Sequence, residues 1–261
     1  MASPGDEIDV HKTAVRTRVW ADLLQVAVAD SRFHLDFGEY ITDFAGSSAA
    51  TDRLVALAAY REAAVLFVTP DNCLEELRRR ALEAGKRVLV TTYGIRRGFW
   101  LLDPAAIRRE WEGRLGARGW SWYAATLDGM ERVGRRVSLR DLVDLGIRVP
   151  VLVTGTGAIN TQGIRFGKGH GFFDLEWAML FSIGVIQQSA VAVAVVHDCQ
   201  LLEEDLRPDV FDTVCDVVIT PTRVVEVEAA QKPTCGILWD RLQPGMLEDI
   251  PPLQELKEMG D

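Results

Sequence analysis

The segment from Arg165 to Asp174, which reads RFGKGHGFFD, alternates glycines with basic side chains. Its glycines are Gly167, Gly169 and Gly171, and its basic residues are Arg165, Lys168 and His170. Glycines at every second position let the backbone adopt positive φ and turn its N–H groups towards an anion. A helix predicted to begin directly after the loop adds partial positive charge. We therefore predict a phosphate-binding loop, with a solvated glycine-rich turn as the alternative.

Acidic residues beside this loop are candidate magnesium ligands. Asp174 ends the loop and Glu176 follows two residues later, and Mg²⁺ prefers carboxylate oxygens. The alternative for Asp174 is an ordinary structural role at the start of a helix. Asp212 and Asp216, just before the predicted strand 216–220 and at its start, are further candidates. They would lie one turn apart in a helix, and two acids at that spacing more commonly belong to a solvated helix face.

Two other constellations carry weaker signals. Lys12 and Arg16 lie one helical turn apart and share a face, which by itself predicts only a solvated basic edge. His197 and Cys199 follow a predicted strand at the sheet edge where ligands bind in open α/β folds. No third residue completes a nucleophilic arrangement there, so we favour a structural or substrate-lining role for this pair.

Short apolar runs and the amphipathic stretches between them predict the elements that position these residues. The predicted strands cover 63–68, 87–92, 149–155, 191–196 and 216–220, and the predicted helices cover 11–29, 49–61, 72–85 and 172–188. Asp71 is placed to cap the third of these helices. Alternation of strands with helices is typical of a parallel sheet covered by helices, which is an α/β fold.

The rest of the chain completes a predicted domain plan. We expect a flexible leader over 1–10, a single α/β domain over 11–228, and an extended C-terminal arm packed on the domain over 229–261. Residues 111–140, rich in Gly, Arg and Trp, predict an excursion outside the main sheet.

The composition excludes several classes of protein. The chain has 261 residues, of which 48% are hydrophobic and 26% charged, and its net charge is −9. These values indicate a globular protein, and the negative charge argues against non-specific binding of nucleic acid. No apolar run approaches the roughly 20 residues that cross a bilayer. We therefore expect a cytoplasmic protein that acts on a small molecule, with no membrane or nucleic-acid partner; no pattern indicates an oligomeric state.

The sequence resembles the 5-formyltetrahydrofolate cyclo-ligase family. The segment GIRFGKGHGFFD (163–174) resembles the G-x-R-x-G-x-G-x-G-Y-Y-D loop of that family. Lys12-x-x-x-Arg16 is similar to its N-terminal Lys/Arg pair, LRRRALEAGKRVLVTT (77–92) to a helix–strand segment, and 200–220 to its closing segment. The sequences DLEWAML (174–180) and KPTCGILWDRL (232–242) look closer to the divergent synthetase-domain-containing branch.

This resemblance implies a three-layer α/β sandwich of the NagB/RpiA/CoA-transferase type with a mainly parallel sheet. It also implies a reaction in which Mg²⁺ and ATP serve to phosphorylate the formyl oxygen of 5-formyltetrahydrofolate, after which ring closure gives 5,10-methenyltetrahydrofolate, ADP and phosphate. By position, the resemblance implies catalytic roles for Arg165, Lys168 and His170, cofactor binding by Lys12, Arg16, Gly167, Gly169, Gly171, Phe172 and Phe173, and Mg²⁺ binding by Asp174 and Asp212.

Departures from the family pattern keep two alternatives open. Phe172 and Phe173 stand where the resembled loop has two tyrosines, so hydroxyl groups that could bind substrate or phosphate are missing. One alternative is a relative that uses the same ATP chemistry on a different acceptor. The other is a non-catalytic module that binds a nucleotide, a folate or RNA.

Overall fold

A mixed eight-stranded sheet forms the centre of the fold in the computed structural model, which describes residues 4–30 and 35–260. The strands are β1 (Val65–Val68), β2 (Arg87–Thr91), β3 (Phe99–Leu102), β4 (Arg135–Val137), β5 (Val151–Thr154), β6 (Ala158–Asn160), β7 (Arg165–Phe166), β8 (Val191–Val195), β9 (Leu201–Leu202), β10 (Val217–Ile219) and β11 (Val224–Glu226). The order across the large sheet is β11-β10-β8-β5-β1-β2-β3-β4, and β7-β6-β9 form a small second sheet. The pairs from β10 to β2 are parallel, whereas β11, β3 and β4 join antiparallel.

Helices cover both faces of the large sheet. They are α1 (Pro4–Leu23), α2 (Ser47–Ala56), α3 (Ala58–Glu62), α4 (Glu75–Glu83), α5 (Pro104–Leu115), α6 (Gly119–Ala125), α7 (Leu127–Val133), α8 (Leu139–Asp144), α9 (Phe172–Ser182), α10 (Met246–Asp249) and α11 (Pro251–Met259). One core cluster joins the sheet to α8, α9 and α11, and a second joins its other face to α2, α4 and α6.

Strand β1 shows why the central strands are continuously apolar. Val65 and Phe67 belong to one core cluster, and Leu66 and Val68 belong to the other. Successive side chains of a strand point to opposite faces, and a parallel strand covered on both faces must therefore be apolar at every position. The predicted α/β architecture is confirmed, and all five predicted strands are present.

The region between β2 and β5 differs from its prediction. Residues 111–140 do not lie wholly outside the main sheet, because β4 forms its edge and pairs with β3. The two exposed arginines of β4 (Arg135 and Arg136) give it the polar surface of an edge strand, and that composition concealed it. Between β3 and β4, three helices pack on one another and on α4.

Both ends of the predicted domain also differ. Helix α1 begins at Pro4 rather than at residue 11, which corrects the flexible leader over residues 4–10, and it ends at Leu23 rather than at residue 29. Within the predicted C-terminal arm, residues 229–245 are irregular apart from one helical turn, and α10 and α11 follow. Leu253 and Leu256 of α11 are buried in the main core, so the C-terminal segment is held by apolar burial.

No helix in the described part of the chain combines the length and apolar character needed to cross a membrane.

Candidate functional site

A cavity of about 310 Å³ lies where the carboxyl ends of β1, β2 and β5 meet the glycine-rich loop. Thr69, Thr92 and Gly155, which follow these three strands, line its floor. The cavity also brings together all the site residues predicted from the sequence: Lys12, Arg16, Arg165, Gly167, Lys168, Gly169, His170, Gly171, Phe172, Phe173, Asp174 and Asp212. The edge at the carboxyl ends of parallel strands is where ligands bind in open α/β sheets. The roles of these residues stay predictions.

The glycine loop joins β7 to α9, and two of its three glycines have the positive φ predicted from the sequence. Gly169 has φ +116° and Gly171 has φ +68°, whereas Gly167 is outside the positive region. A Cβ atom at Gly169 would lie 3.6 Å from the Arg16 guanidinium. No side chain of the described residues caps the N-terminus of α9. The loop therefore leaves helix amides without a side-chain partner beside an arginine, which favours an anion.

Two ion pairs organise what we call the basic end of the cavity, formed by Lys12, Arg16, Arg165, Asp174 and Asp212. Arg165 Nη2 lies 2.5 Å from Asp174 Oδ1, and both side chains are about nine-tenths buried or more. Lys12 Nζ lies 2.6 Å from Asp212 Oδ2. Lys12 and Arg16, whose spacing alone predicted a solvated edge, both line the cavity beside the loop, as the family resemblance implied.

Further donors bind the same carboxylates. The Thr213 N–H donates to Asp174 Oδ1 at 2.7 Å, and the Asp209 N–H donates to Asp212 Oδ2 at 2.7 Å. Asp174 is an acidic residue in the first turn of α9, as its structural alternative predicted, but its side chain does not cap the helix: it binds Arg165 and the Thr213 N–H. Its role as a magnesium ligand stays a prediction.

Asp174 and Asp212, the two predicted magnesium ligands, could each offer a divalent cation one free carboxylate oxygen. The other oxygens, Asp174 Oδ2 and Asp212 Oδ1, accept no hydrogen bond from the described residues. Burial and the nearby Asp174 raise the pKa of Asp212. Within residues 4–30 and 35–260, no group of three His, Cys, Asp or Glu side chains forms a metal cluster. Water and ligand oxygens would have to supply the other positions, as is usual for Mg²⁺.

Lys168 and His170 occupy different environments on the loop. The Lys168 ammonium lies 4.8 Å from the centre of the Tyr93 ring and 5.4 Å from that of Phe172. Burial lowers the pKa of Lys168, against the opposing effect of Asp71 and other acids. The His170 ring stacks on Phe172 with centroids 5.3 Å apart. Burial and Lys168 lower the pKa of His170 below its usual 6.5, so the imidazole is neutral at pH 7 and supplies no positive charge.

Sequence reasoning did not group the three residues of what we call the acidic end of the cavity, Asp71, Tyr93 and Glu176, although it named Asp71 as a helix cap and Glu176 as a candidate magnesium ligand. Asp71 precedes a one-turn helix (Asn72–Leu74), but its side chain does not cap it. The carboxylate instead accepts hydrogen bonds from Thr69 Oγ1 and, at 2.8 Å, from the Gly155 N–H. Burial raises the pKa of Asp71. Its position directly after a buried strand was the signal that could have identified it.

Glu176, which the sequence analysis considered as a magnesium ligand beside Asp174, also belongs to the acidic end. Its carboxyl accepts a hydrogen bond from Thr91 Oγ1 at the end of β2, and the side chain is buried. Burial raises its pKa to about 8. The Tyr93 hydroxyl donates to Asn72 Oδ1 at 3.2 Å, and burial raises the pKa of Tyr93 well above its usual value. Glu176 is close to the loop in sequence, but only the tertiary fold shows that its carboxyl contacts Thr91.

The C-terminal segment supplies a wall that sequence reasoning also missed. Residues 236–238, 241–243 and Met246 line the cavity. Gln243 Nε2 donates to the Gly169 carbonyl at 3.1 Å, and Arg241 Nη1 lies 3.7 Å from Asp209 Oδ2. The wall therefore touches both the glycine loop and the segment that carries Asp212.

Three other candidates lie outside the cavity. The Cys199 N–H donates to His197 Nδ1 at 3.2 Å in a one-turn helix. Burial raises the pKa of the Cys199 thiol, which is the opposite of nucleophile activation. Asp216 binds Lys232 at 2.5 Å and the Ala192 N–H at 2.7 Å. These residues have structural roles.

Comparison with known proteins places the chain in a family. The model of the 5-formyltetrahydrofolate cyclo-ligase family matches residues 9–221. A methenyltetrahydrofolate synthase domain-containing protein of Mus musculus is 31% identical over 253 residues, covering 95% of this chain and 64% of the relative. One from Danio rerio is 31% identical over 252 residues, covering 95% of this chain and 62% of the relative. The chain thus spans less than two thirds of the length of these relatives.

Two further matches come from enzymes named for the family. The 5-formyltetrahydrofolate cyclo-ligase of Escherichia coli K12 is 32% identical over 94 residues, covering 35% of this chain and 46% of that protein. The solved structure of Aquifex aeolicus 5,10-methenyltetrahydrofolate synthetase has a TM-score of 0.50 at 17% identity, covering 85% of this chain and 95% of that one. That likeness confirms the fold. The chain belongs to the 5-formyltetrahydrofolate cyclo-ligase family.

Proposed function

We propose that this family member is an ATP- and Mg²⁺-dependent cyclo-ligase that converts 5-formyltetrahydrofolate to 5,10-methenyltetrahydrofolate. The observation that carries the proposal is the convergence of the loop, the helix-borne Lys12 and Arg16, and the two aspartates on one cavity. These groups come from distant parts of the sequence, and a solvated glycine-rich turn would not require them to meet.

The basic end provides what phosphoryl transfer needs. Catalysis of that reaction depends on alignment and on neutralising charge, with no protein nucleophile. Arg16 forms no ion pair with a carboxylate among the described side chains; its guanidinium bonds to Thr13 at 3.1 Å. Arg165 is fixed by Asp174 and lies 4.5 Å from the Phe173 ring centre. We assign phosphate binding to these two guanidiniums, to Lys12 and to the loop amides.

The charges that line the cavity explain why Mg²⁺ is part of the proposal. The cationic residues are Lys12, Arg16, Arg165, Lys168 and Arg241, and the acidic residues are Asp9, Asp71, Asp174, Glu176, Asp209 and Asp212. A triphosphate brings several further negative charges into a cavity that has no net positive charge of its own. A divalent cation on Asp174 and Asp212 would offset that charge and leave Lys12 and Arg165 available for phosphate oxygens.

The proposed reaction balances without other reagents. The formyl oxygen attacks the terminal phosphorus of ATP and ADP leaves. The neighbouring folate nitrogen then attacks the activated carbon and loses its proton to solvent, and departure of phosphate gives the methenyl product. We assign positioning of the transferred group to Lys168 and to the α9 amides, and one wall of the acceptor pocket to Phe172 and Phe173.

A second candidate is the same ATP chemistry on a different formyl- or amide-bearing acceptor. Two observations favour it: Phe172 and Phe173 stand where the resembled family loop has two tyrosines, and two buried carboxyl groups, those of Asp71 and Glu176, line the cavity. The relatives that match over most of the chain are named as proteins that contain a methenyltetrahydrofolate synthase domain, which names a domain and not a measured activity.

Purified protein with ATP, Mg²⁺ and 5-formyltetrahydrofolate tests the two candidates. We expect growth of the methenyl product's near-ultraviolet absorbance, abolished when EDTA removes Mg²⁺. ATP binding by calorimetry without product formation would favour the different acceptor. Absence of both ATP binding and product would refute ligase activity and leave a non-catalytic binding module.

A further inference from the structure

We propose that the C-terminal segment 236–246 completes the nucleotide site, with Arg241 as an additional phosphate-binding residue and Gln243 as a positioning residue for the glycine loop. This inference rests on the ATP binding proposed above. It assigns a function to a part of the chain that lies beyond residues 9–221, the region matched by the family model.

The segment is anchored to the rest of the fold by buried apolar side chains. Ile237 and Met246 are buried in the main core cluster, together with Phe173 and Ala178 beside the loop. Relatives that match over 95% of this chain extend into the segment. The wall is therefore a fixed part of the cavity in this protein.

Arg241 is placed to meet an anion at the basic end. Its Nη1 atom lies 3.7 Å from Asp209 Oδ2, a loose ion pair, and about half of the side chain is exposed (52%). The Asp209 N–H binds Asp212 Oδ2, the oxygen that also binds Lys12. A guanidinium at this place can donate two parallel hydrogen bonds to a phosphate without breaking a tight ion pair.

Gln243 acts on the backbone of the loop. Its side-chain amide donates to the Gly169 carbonyl at 3.1 Å. In a planar trans peptide the N–H points opposite to the carbonyl, so this bond fixes the direction of the His170 N–H. Gly169 has φ +116°, a conformation that few residues adopt, and an external hydrogen bond holds it in that arrangement.

Calorimetry with ATP, tripolyphosphate and adenosine, each in the presence of Mg²⁺, tests the proposal. For Arg241→Ala we expect affinity for ATP and for tripolyphosphate to fall about tenfold, as loss of a charge-assisted hydrogen bond predicts, with adenosine unaffected. Arg241→Lys should restore part of the affinity. Arg207→Ala removes an exposed arginine outside the cavity and should bind all three ligands as the unmodified protein does.

Gln243→Met, which keeps the length of the side chain but removes its donor, supplies the second variant. We expect ATP affinity to fall a few-fold with an unchanged melting temperature. If the unmodified protein binds ATP and Arg241→Ala binds it equally well, the phosphate role of Arg241 is overturned. An equal loss for adenosine and tripolyphosphate also overturns that role. If the unmodified protein binds neither ATP nor tripolyphosphate, the proposed function fails as well.

Discussion

The two ends of the cavity hold their carboxylates in opposite ways. At the basic end, Asp174 and Asp212 each have a cation within 2.6 Å. At the acidic end, Asp71 and Glu176 receive hydrogen bonds only from hydroxyl and amide groups among the described residues. Burial therefore raises the pKa of Asp71, and that of Glu176 to about 8.

This difference indicates which part of a ligand each end can take. The ion pairs of the basic end can exchange partners, because a phosphate can take over a cation and a metal ion can take over a carboxylate. Lys168 is the cation that lines the cavity at the acidic end, and the buried Arg78 beside Asp71 is bound to backbone carbonyl groups. The acidic end, to which we assign the acceptor, therefore suits its uncharged, hydrogen-bonding part. Lys168, which lies above Tyr93 and Phe172, stands between the two ends.

The most damaging change should be Asp174→Asn. It leaves Arg165 buried without a counter-charge, and breaking a buried pair from one side costs about 3 kcal/mol or more. We expect loss of Mg²⁺-dependent ATP binding together with a loss of that size in urea unfolding.

Asp216→Asn provides a matched control, since Asp216 binds Lys232 at 2.5 Å outside the cavity. It should lose less stability, because Asp216 is one-quarter exposed, and should keep ATP binding. Full stability in Asp174→Asn would mean that the pair contributes nothing to the basic end.

Lys168→Met should separate function from stability. The ammonium has no ion pair among the described residues and lies over aromatic rings, so methionine can fill its place. We expect ATP-dependent turnover to fall about 100-fold, the effect of losing one charge that stabilises a transition state, with little change in melting temperature.

The matched control is Lys86→Met, because Lys86 lies 4.9 Å above the Tyr60 ring, away from the cavity. It should keep turnover while losing stability, since its ammonium also binds two backbone carbonyls. Equal turnover in Lys168→Met and Lys86→Met would remove Lys168 from the proposed reaction.

The basic end could be predicted from the sequence and the acidic end could not, for a physical reason. The glycine loop is a local pattern in the sequence. Lys12 and Arg16 were predicted to bind the cofactor because the family resemblance includes a Lys/Arg pair near the N-terminus. The contact of Glu176 with Thr91 joins positions 85 residues apart, and no local pattern specifies it. The central strands were likewise predictable from continuous apolar runs, whereas β4 was concealed by its two exposed arginines.

Glu176→Gln should change how stability depends on pH. Because the folded pKa of Glu176 is about 8 against a usual 4.5, the folded protein keeps a proton that the unfolded chain releases between these values. Stability should therefore fall as pH rises from 5 to 8, by up to about 1.4 kcal/mol per pH unit for this group. Glutamine removes this contribution.

Urea unfolding of both proteins at several pH values measures the difference. We expect the two curves to converge near pH 5, with Glu176→Gln about 3.5 kcal/mol more stable than the unmodified protein at pH 8. Parallel curves across this range would show that Glu176 ionises normally, and the contrast between the two ends would lose its main support.

His170→Ala should have the smallest effect, although the residue lies in the loop between two glycines. The imidazole is neutral at pH 7 because burial, Lys168 and Arg16 all lower its pKa, so the loop's positive charge comes from its other residues. Its removal takes away the ring that stacks on Phe172 but no charge. We expect ATP affinity within about twofold of the unmodified protein at pH 7.5, since the phosphate-binding charges remain. Calorimetry of both proteins at pH 7.5 makes the comparison at a pH where the imidazole is neutral, because its pKa is lowered. A tenfold loss at pH 7.5 would instead assign His170 to the phosphate site as a hydrogen-bond donor, and the basic end would then depend on a neutral group as well as on its cations.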